Sequence, residues 1–154
     1  MNYQYLDSPV GRLRLVSDGK HLTAIEWEQR QAIDPDDTEK TDPALSACAK
    51  QLREYFAGER RSFDLPLSPT GTDFQKNVWA ALKAIPYGKL RSYRDIAESL
   101  DNPKAVRAVG AANGRNPIPI VVPCHRVIGS DGSLTGFAGG LEAKKVLLKL
   151  EGAI

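Results

Sequence analysis

The amino-acid sequence predicts an α+β protein, in which a small N-terminal antiparallel β-sheet with one helix precedes a mostly α-helical domain containing a helix-turn-helix. Short apolar or alternating runs of strand length occur near the N-terminus, and helix-period apolar stripes follow them. An extended segment with two prolines, Phe63 to Thr72, links the two parts, residues 1–69 and 70–154. The 154 residues, 42% of them hydrophobic, are sufficient for a packed core.

The predicted sheet is formed by three runs, Tyr3 to Leu6, Leu13 to Ser17 and Leu22 to Trp27. The turn Asp18-Gly19-Lys20 separates the last two, and an Asp-Gly pair between two such runs is a strong hairpin signal. The polar and acidic segment Gln29 to Thr41 is predicted to be a mobile loop.

The first helix is predicted over Pro43 to Ala57, where apolar residues recur at spacings of three and four and Gly58 ends the pattern. Cys48 lies on the apolar face of this helix. We therefore expect it to be a buried small hydrophobe, whereas His21, at the edge of a turn, is expected to face solvent.

The C-terminal part contains four predicted helices. Asp73 to Ala84 carries an apolar stripe, and a capping box between Ser92 and Asp95 starts a helix that continues to Leu100. After a tight turn follows Lys104 to Asn113, and two short helices joined in this way form a helix-turn-helix. The last helix is predicted over Leu141 to Leu150.

The second helix of this pair has an outward face of small residues flanked by cations. With its apolar side inward, this face consists of Lys104, Arg107, Ala108, Ala111 and Arg115. A sequence-reading helix offers long polar side chains to base edges, whereas small residues permit close approach to a narrow groove and cations contact phosphates. The face favours sequence-independent DNA binding, with packing of the alanines against another helix as the alternative.

The distribution of charge agrees with a polyanionic partner for the second part. The formal net charge is only +2, but residues 1–69 carry 9 basic and 12 acidic side chains, and residues 70–154 carry 12 basic and 7 acidic ones. A net charge of +5 in the second part is consistent with binding to nucleic acid, and ordinary solvated charge is the alternative.

Cys124 and His125 are the strongest candidates for chemistry. They follow an apolar run, Ile118 to Val122, that is predicted to be a strand. A thiol becomes nucleophilic when it loses its proton, and an imidazole is the group that most often accepts it. Isolated pairs of this kind are also found in inert cores. Because neighbouring side chains alternate along an extended segment, a water or a turn at Cys124 is needed to connect the two groups.

Composition also predicts where the protein acts and what it does not bind. No run of eighteen apolar residues and no signal peptide is present, so we expect a soluble, cytoplasmic protein without membrane contact. A free cysteine beside a histidine favours a reducing compartment. With two cysteines and two histidines, no multi-cysteine/histidine zinc site can be assembled, and we predict no metal.

Several motifs together resemble the O6-alkylguanine-DNA alkyltransferases, which transfer alkyl groups from guanine O6 to their own cysteine. The resemblance is dense over about the last eighty residues. It is looser over the first seventy, where it rests on an Asp7 to Gly11 start and a helix ending at Gly58. The dense part consists of Ser92-Tyr93, Asn102 to Gly110, Asn116 to Gly129, and Gly139-Gly140-Leu141 to Glu151.

The resemblance implies specific roles for residues around the cysteine. Cys124 is the acceptor, and a relay of water, His125 and Glu151 activates it. Such a relay is expected to lower the thiol pKa below its ordinary value of about 8.5. Tyr93 protonates guanine N3, and Asn116 ties the helix pair to the active-site segment. The carbonyl of Val127 and the loop wall formed by Phe137 and Ala138, where some relatives have Tyr and Ser, contact the base.

On the DNA side, the resemblance places the second helix of the pair in the minor groove, with Ala105, Ala108 and Ala111 against the DNA and Arg107 inserted where the lesion is flipped out. It implies an RNase H-like N-terminal domain and a monomer that repairs alkylated double-stranded DNA once, without a cofactor. The expected substrates are O6-alkylguanine and O4-alkylthymine.

Two alternatives belong to other functional classes. A cysteine hydrolase with a Cys-His-Glu triad would show sustained turnover. A non-enzymatic lesion-binding protein resembles the alkyltransferase-like relatives, but these replace the cysteine that this chain retains.

Overall fold

A computed structural model describes residues 1–154 and confirms the α+β class. The chain forms two compact units, Met1–Thr70 and Gly71–Ile154. None of the helices combines the length and the apolar character that a membrane-spanning helix needs.

The first unit contains a four-stranded sheet in the order β3-β2-β1-β4. The strands β1 (Asn2–Leu6), β2 (Leu13–Ser17) and β3 (Leu22–Trp27) are antiparallel, as predicted. The two-residue strand β4 (Thr38–Glu39) pairs parallel with β1, so the sheet is mixed and the segment predicted to be a mobile loop is partly ordered.

The acidic segment is ordered because it forms an ion pair with a buried arginine of β2. The periodicity of this strand does not predict that the arginine is buried. Arg14 is 1% exposed, and its guanidinium donates to Glu26 at 2.6 Å and to Asp37 at 2.7 Å. Since Asp37 directly precedes β4, this ion pair fixes the acidic segment against the sheet.

Helix α1 (Pro43–Phe56) packs against the same sheet. It begins where the sequence predicts, because the carboxylate of Asp42 accepts from the backbone N–H of Leu45 and proline occupies the first turn. Cys48 is fully buried on its inner face, and burial raises the pKa of the Cys48 thiol to about 12. Its reactivity is therefore suppressed.

The second unit contains α2 (Asp73–Lys83), α3 (Tyr93–Ser99), α4 (Val106–Gly114) and α5 (Leu141–Leu150). Capping boxes start α2 and α3. The indole N–H of Trp79 on α2 donates to the carbonyl of Ala112 on α4 at 2.8 Å, which fixes the helix pair to the rest of this unit.

Helix α4 begins two residues later than predicted. Ala105 is its N-cap residue and offers no side-chain acceptor, and the preceding residues form a turn closed by a hydrogen bond from the Ala105 N–H to the Asn102 carbonyl. Ala105 is therefore half-buried beside the helix start rather than on its exposed face.

The predicted strand Ile118 to Val122 is wrong. The segment is folded into a turn in which the Val122 N–H donates to the Ile118 carbonyl, and Ile120 has a φ of +74°. Pro119, which has no N–H for a sheet ladder, interrupts the run. The short strands that frame the site are instead β5 (Arg91–Ser92) and β6 (Val127–Ile128), which pair in parallel.

Candidate active site

Cys124 begins a one-turn 3₁₀ helix that includes His125 and Arg126. Its side chain is buried, and its backbone N–H donates to the Val122 carbonyl at 2.8 Å. The sequence left open whether a water or a turn at Cys124 connects the thiol and the imidazole, and a turn is present there. The two side chains do not alternate across a strand.

Asn116 fixes the segment that leads to this turn. Its Nδ2 donates to the Val122 carbonyl at 2.8 Å, and its Oδ1 accepts from the Ile118 N–H at 3.0 Å. The left-handed backbone of Ile120 lies between these two anchor points. For a β-branched residue this conformation costs about 1–3 kcal/mol, which the surrounding contacts must offset. Asn116 thus positions the approach to Cys124.

His125 and Glu151 form a fully buried pair. The Nε2 atom of His125 is 2.7 Å from Oε2 of Glu151, and both side chains have 0% exposure. Because a carboxylate only accepts hydrogen bonds, Nε2 carries the hydrogen and Nδ1 retains a free lone pair. Nδ1 is buried and has no hydrogen-bond partner in the protein. The ring is therefore held in the tautomer that can accept a proton at Nδ1.

Arg126 completes this arrangement and was missed by the sequence reasoning. Its Nε and Nη2 donate to the two oxygens of Glu151 at 2.8 and 3.0 Å, and its Nη1 donates to the Ile85 carbonyl at 2.7 Å. The N–H of Gly88 donates to the same carboxylate. An acid at the C-terminal end of a helix is ordinarily unfavourable. Here it is stabilised by these donors.

The resting charge state differs from the expected one. Burial raises the pKa of the Cys124 thiol to about 11, although the hydrogen bond from Asn116 and the charge of Lys144 partly oppose this. Burial also lowers the pKa of His125, against the hydrogen bond and charge of Glu151. The expectation of a lowered thiol pKa is therefore wrong, because desolvation outweighs the relay. Near neutral pH the site holds a neutral thiol beside a neutral imidazole.

Lys144 on α5 is a second residue that the sequence reasoning did not identify. It is fully buried, and its Nζ donates to the carbonyls of Val127 at 2.7 Å and Thr135 at 3.2 Å. No carboxylate pairs with it. Lys144 lies three residues before the buried Leu147 and four before the buried Leu148, which places it on the apolar face of the helix. This spacing is the sequence signal that could have predicted its burial.

We expect Lys144→Met to slow alkylation of Cys124 by iodoacetamide about tenfold at pH 8, because loss of a nearby positive charge disfavours the thiolate. The rate is measured by peptide mass spectrometry. The matched control is Lys145→Met, whose side chain is 46% exposed and should leave the rate unchanged. Equal rates in the two variants would show that the Lys144 charge does not act on the thiol.

The remaining predicted residues near the cysteine lie around the same turn. The ring of Phe137 packs edge-on against His125, with centroids 6.4 Å apart, and Ala138 is exposed in the same loop. The Val127 carbonyl already accepts from Lys144, and its second lone pair remains available. The hydroxyl of half-buried Tyr93 is hydrogen-bonded to Thr135.

The predicted DNA-contacting residues form a separate surface on α4. Arg107, Ala108 and Ala111 are exposed, as are the flanking Lys104 and Arg115, while the opposite side of the helix is buried. This surface joins small side chains with three cations, and no acidic residue lies between Lys104 and Arg115.

Comparison with known families gives matches over both units. Residues 1–69 match the 6-O-methylguanine DNA methyltransferase ribonuclease-like domain, and residues 73–153 match the 6-O-methylguanine DNA methyltransferase DNA binding domain. The first match agrees with the RNase H-like fold expected for the N-terminal part.

Individual proteins match over the full chain. A methylated-DNA--protein-cysteine methyltransferase of Methanosarcina acetivorans is 50% identical and covers 99% of both chains. The constitutive methylated-DNA--protein-cysteine methyltransferase of Bacillus subtilis is 48% identical over 97% of this chain and 94% of its own. The crystal structure of Mycobacterium tuberculosis OGT in complex with DNA superimposes with a TM-score of 0.92 at 48% identity, covering 99% of this chain and 94% of the other.

Proposed function

Because this chain belongs to the 6-O-methylguanine DNA methyltransferase family, we propose that it repairs DNA by moving the alkyl group of O6-alkylguanine irreversibly to its own Cys124. O4-alkylthymine is a second proposed substrate. The observation that carries the proposal is the buried pair of His125 and Glu151, which leaves Nδ1 of the histidine free on the residue next to the thiol. This arrangement is suited to proton removal from Cys124.

The proposed reaction begins with a neutral thiol, whose pKa of about 11 leaves about one molecule in ten thousand ionised at pH 7. The thiol proton moves through a water to Nδ1 of His125, and Glu151 stabilises the imidazolium. Sγ attacks the alkyl carbon, a new C–S bond forms, and the C–O6 bond breaks with its electron pair left on guanine. Tyr93 gives its proton to N3, so the base departs neutral.

The product is a thioether, which has no easy leaving path, so each molecule acts once. No step needs a cofactor. A cysteine hydrolase with the same triad would instead release its product and regenerate the thiol.

We assign DNA binding and alkyl transfer to residues 70–154. The α4 surface, with its small residues and flanking cations, suits a minor groove, and the protein is proposed to bind it as a monomer. Arg107 holds the base stack open while the damaged nucleotide is flipped into the site. The Val127 carbonyl, Phe137 and Ala138 then contact the base, and Ala105 lies at the edge of the surface.

The experiment that tests this function counts methyl groups. The protein is incubated with excess duplex DNA containing O6-methylguanine, and intact-mass spectrometry is compared with the amount of guanine restored. One methyl group per protein and one guanine per protein are expected. Sustained turnover without an adduct would support the hydrolase, and binding without transfer would support a lesion-binding protein.

Arg107→Ala is expected to slow transfer from duplex DNA at least about tenfold, because flipping costs a few kcal/mol that the inserted side chain helps to offset. Reaction with free O6-benzylguanine, which needs no flipping, should stay near wild type. Lys104→Ala is the matched control, since an exposed phosphate contact should weaken DNA affinity without slowing transfer at saturating DNA. Equal losses on duplex DNA and free base would contradict the flipping role.

A further inference from the structure

The hydroxyl of Tyr93 has one hydrogen-bond partner in the protein, the side chain of Thr135. The two oxygens are 2.5 Å apart, and both residues are half-buried. Thr135 lies in the loop between β6 and α5, forty-two positions further along the chain. No role for Thr135 follows from the sequence alone.

The topology brings this contact to the active site. Strand β5, which ends immediately before Tyr93, pairs with β6, which follows the turn containing Cys124. The parallel register places Ser92 opposite Ile128. The backbone of Tyr93 therefore lies beside the segment that follows the turn containing Cys124.

The backbone of Thr135 is fixed to the same segment from the other side. Lys144 donates to the carbonyls of both Thr135 and Val127. The N–H of Val127 in turn donates to the Cys124 carbonyl. Through these hydrogen bonds the Thr135 side chain is held at a set position relative to the thiol, which is the condition for a positioning group.

From this geometry we propose that Thr135 is a positioning residue for Tyr93, an inference that rests on the proposed function. A threonine hydroxyl can donate and accept, so its O–H can point at the phenol oxygen while the phenol O–H points at the base. When the proton of Tyr93 moves to N3, the phenol oxygen becomes negative. The hydrogen bond donated by Thr135 then becomes charge-assisted and stabilises that oxygen.

The same contact allows a simpler role, in which Thr135 only anchors the loop that contains Phe137. The two roles differ in what they depend on. Stabilisation of the phenol oxygen acts through Tyr93 and on the transfer step, whereas loop anchoring also affects DNA affinity and persists without the phenol hydroxyl.

The test is a double-mutant cycle on single-turnover transfer from O6-methylguanine duplex DNA at saturating concentration. Thr135→Val removes the hydroxyl and keeps the shape, and we expect it to slow transfer about tenfold, the effect of one lost hydrogen bond to a charged group. Thr135→Ser keeps a hydroxyl and should transfer within about twofold of wild type. In a Tyr93→Phe background, Thr135→Val should cause no further loss.

Three outcomes would overturn the inference. Transfer by Thr135→Val at the wild-type rate removes any role for its hydroxyl. Losses that add in the Tyr93→Phe background, or a weakened DNA Kd with an unchanged transfer rate, indicate a loop anchor. Absence of transfer by the wild-type protein would instead contradict the proposed function itself, and the role of Thr135 with it.

Discussion

Cys124→Ser is expected to abolish methyl transfer, while Cys48→Ala transfers one methyl group like the wild-type protein. A serine hydroxyl is a far weaker nucleophile than a thiol and is not activated enough by the neutral imidazole of His125. Cys48 is also buried, but its thiol has a pKa of about 12 and no base beside it. Peptide mass spectrometry after incubation with O6-methylguanine duplex DNA locates the methyl group.

Binding of the same duplex by Cys124→Ser provides the control, because the α4 surface is unchanged in that variant. Loss of binding would mean that the substitution disturbs the fold, and Cys124→Ala would then replace it. Methyl groups found on the peptide with Cys48, or methanol released without any adduct, would contradict the assignment of Cys124 as acceptor.

The helices were predicted closely because their ends are encoded locally. Helix α5 has the predicted bounds Leu141–Leu150, and α3 starts at the capping box of Ser92 and Asp95. Side-chain caps and the apolar period act within a few residues, so a single sequence contains the needed information. The start of α4 is an exception, because its N-cap residue Ala105 offers no side-chain acceptor and the helix follows a turn closed by the Ala105 N–H and the Asn102 carbonyl.

The irregular parts depend on distant partners and were not predictable in this way. The apolar run Ile118 to Val122 has the composition of a strand, but Asn116 and a left-handed Ile120 fold it into a turn. Strand β4 is ordered by a pair between Arg14 and Asp37 that spans twenty-three positions. Hydrophobic periodicity contains no information on such pairs.

The candidate site was likewise predictable only in part. The adjacent Cys124 and His125 indicated where the site lies, and the resemblance to the alkyltransferases indicated Glu151. Arg126 and Lys144 were missed because a charged residue is assumed to face solvent until its burial is known. The direction of the thiol pKa was wrong for the same reason, since desolvation can be judged only in the folded protein.

His125→Ala is expected to slow methyl transfer at pH 7 by about 10²–10⁴-fold, the range for loss of a general base. The structure makes this dependence strong, because a thiol with a pKa of about 11 is almost entirely protonated at that pH. Glu151→Gln should cause a weaker loss in the same direction. The imidazole remains, but its tautomer is no longer fixed by a carboxylate, and Arg126 loses the negative charge that it pairs with.

The pH dependence separates this explanation from damage to the fold. In His125→Ala, hydroxide must supply the thiolate, so the rate should rise about tenfold per pH unit from pH 7 towards 10 and stay below its plateau until about pH 11. The wild-type rate should change little across that range. It should fall only on the acid side, below the ordinary histidine pKa of 6.5, because burial lowers the pKa of His125 and keeps its Nδ1 available at pH 7.

A uniform loss in His125→Ala at every pH would indicate structural damage. Wild-type rates in both variants would mean that the relay does not activate Cys124.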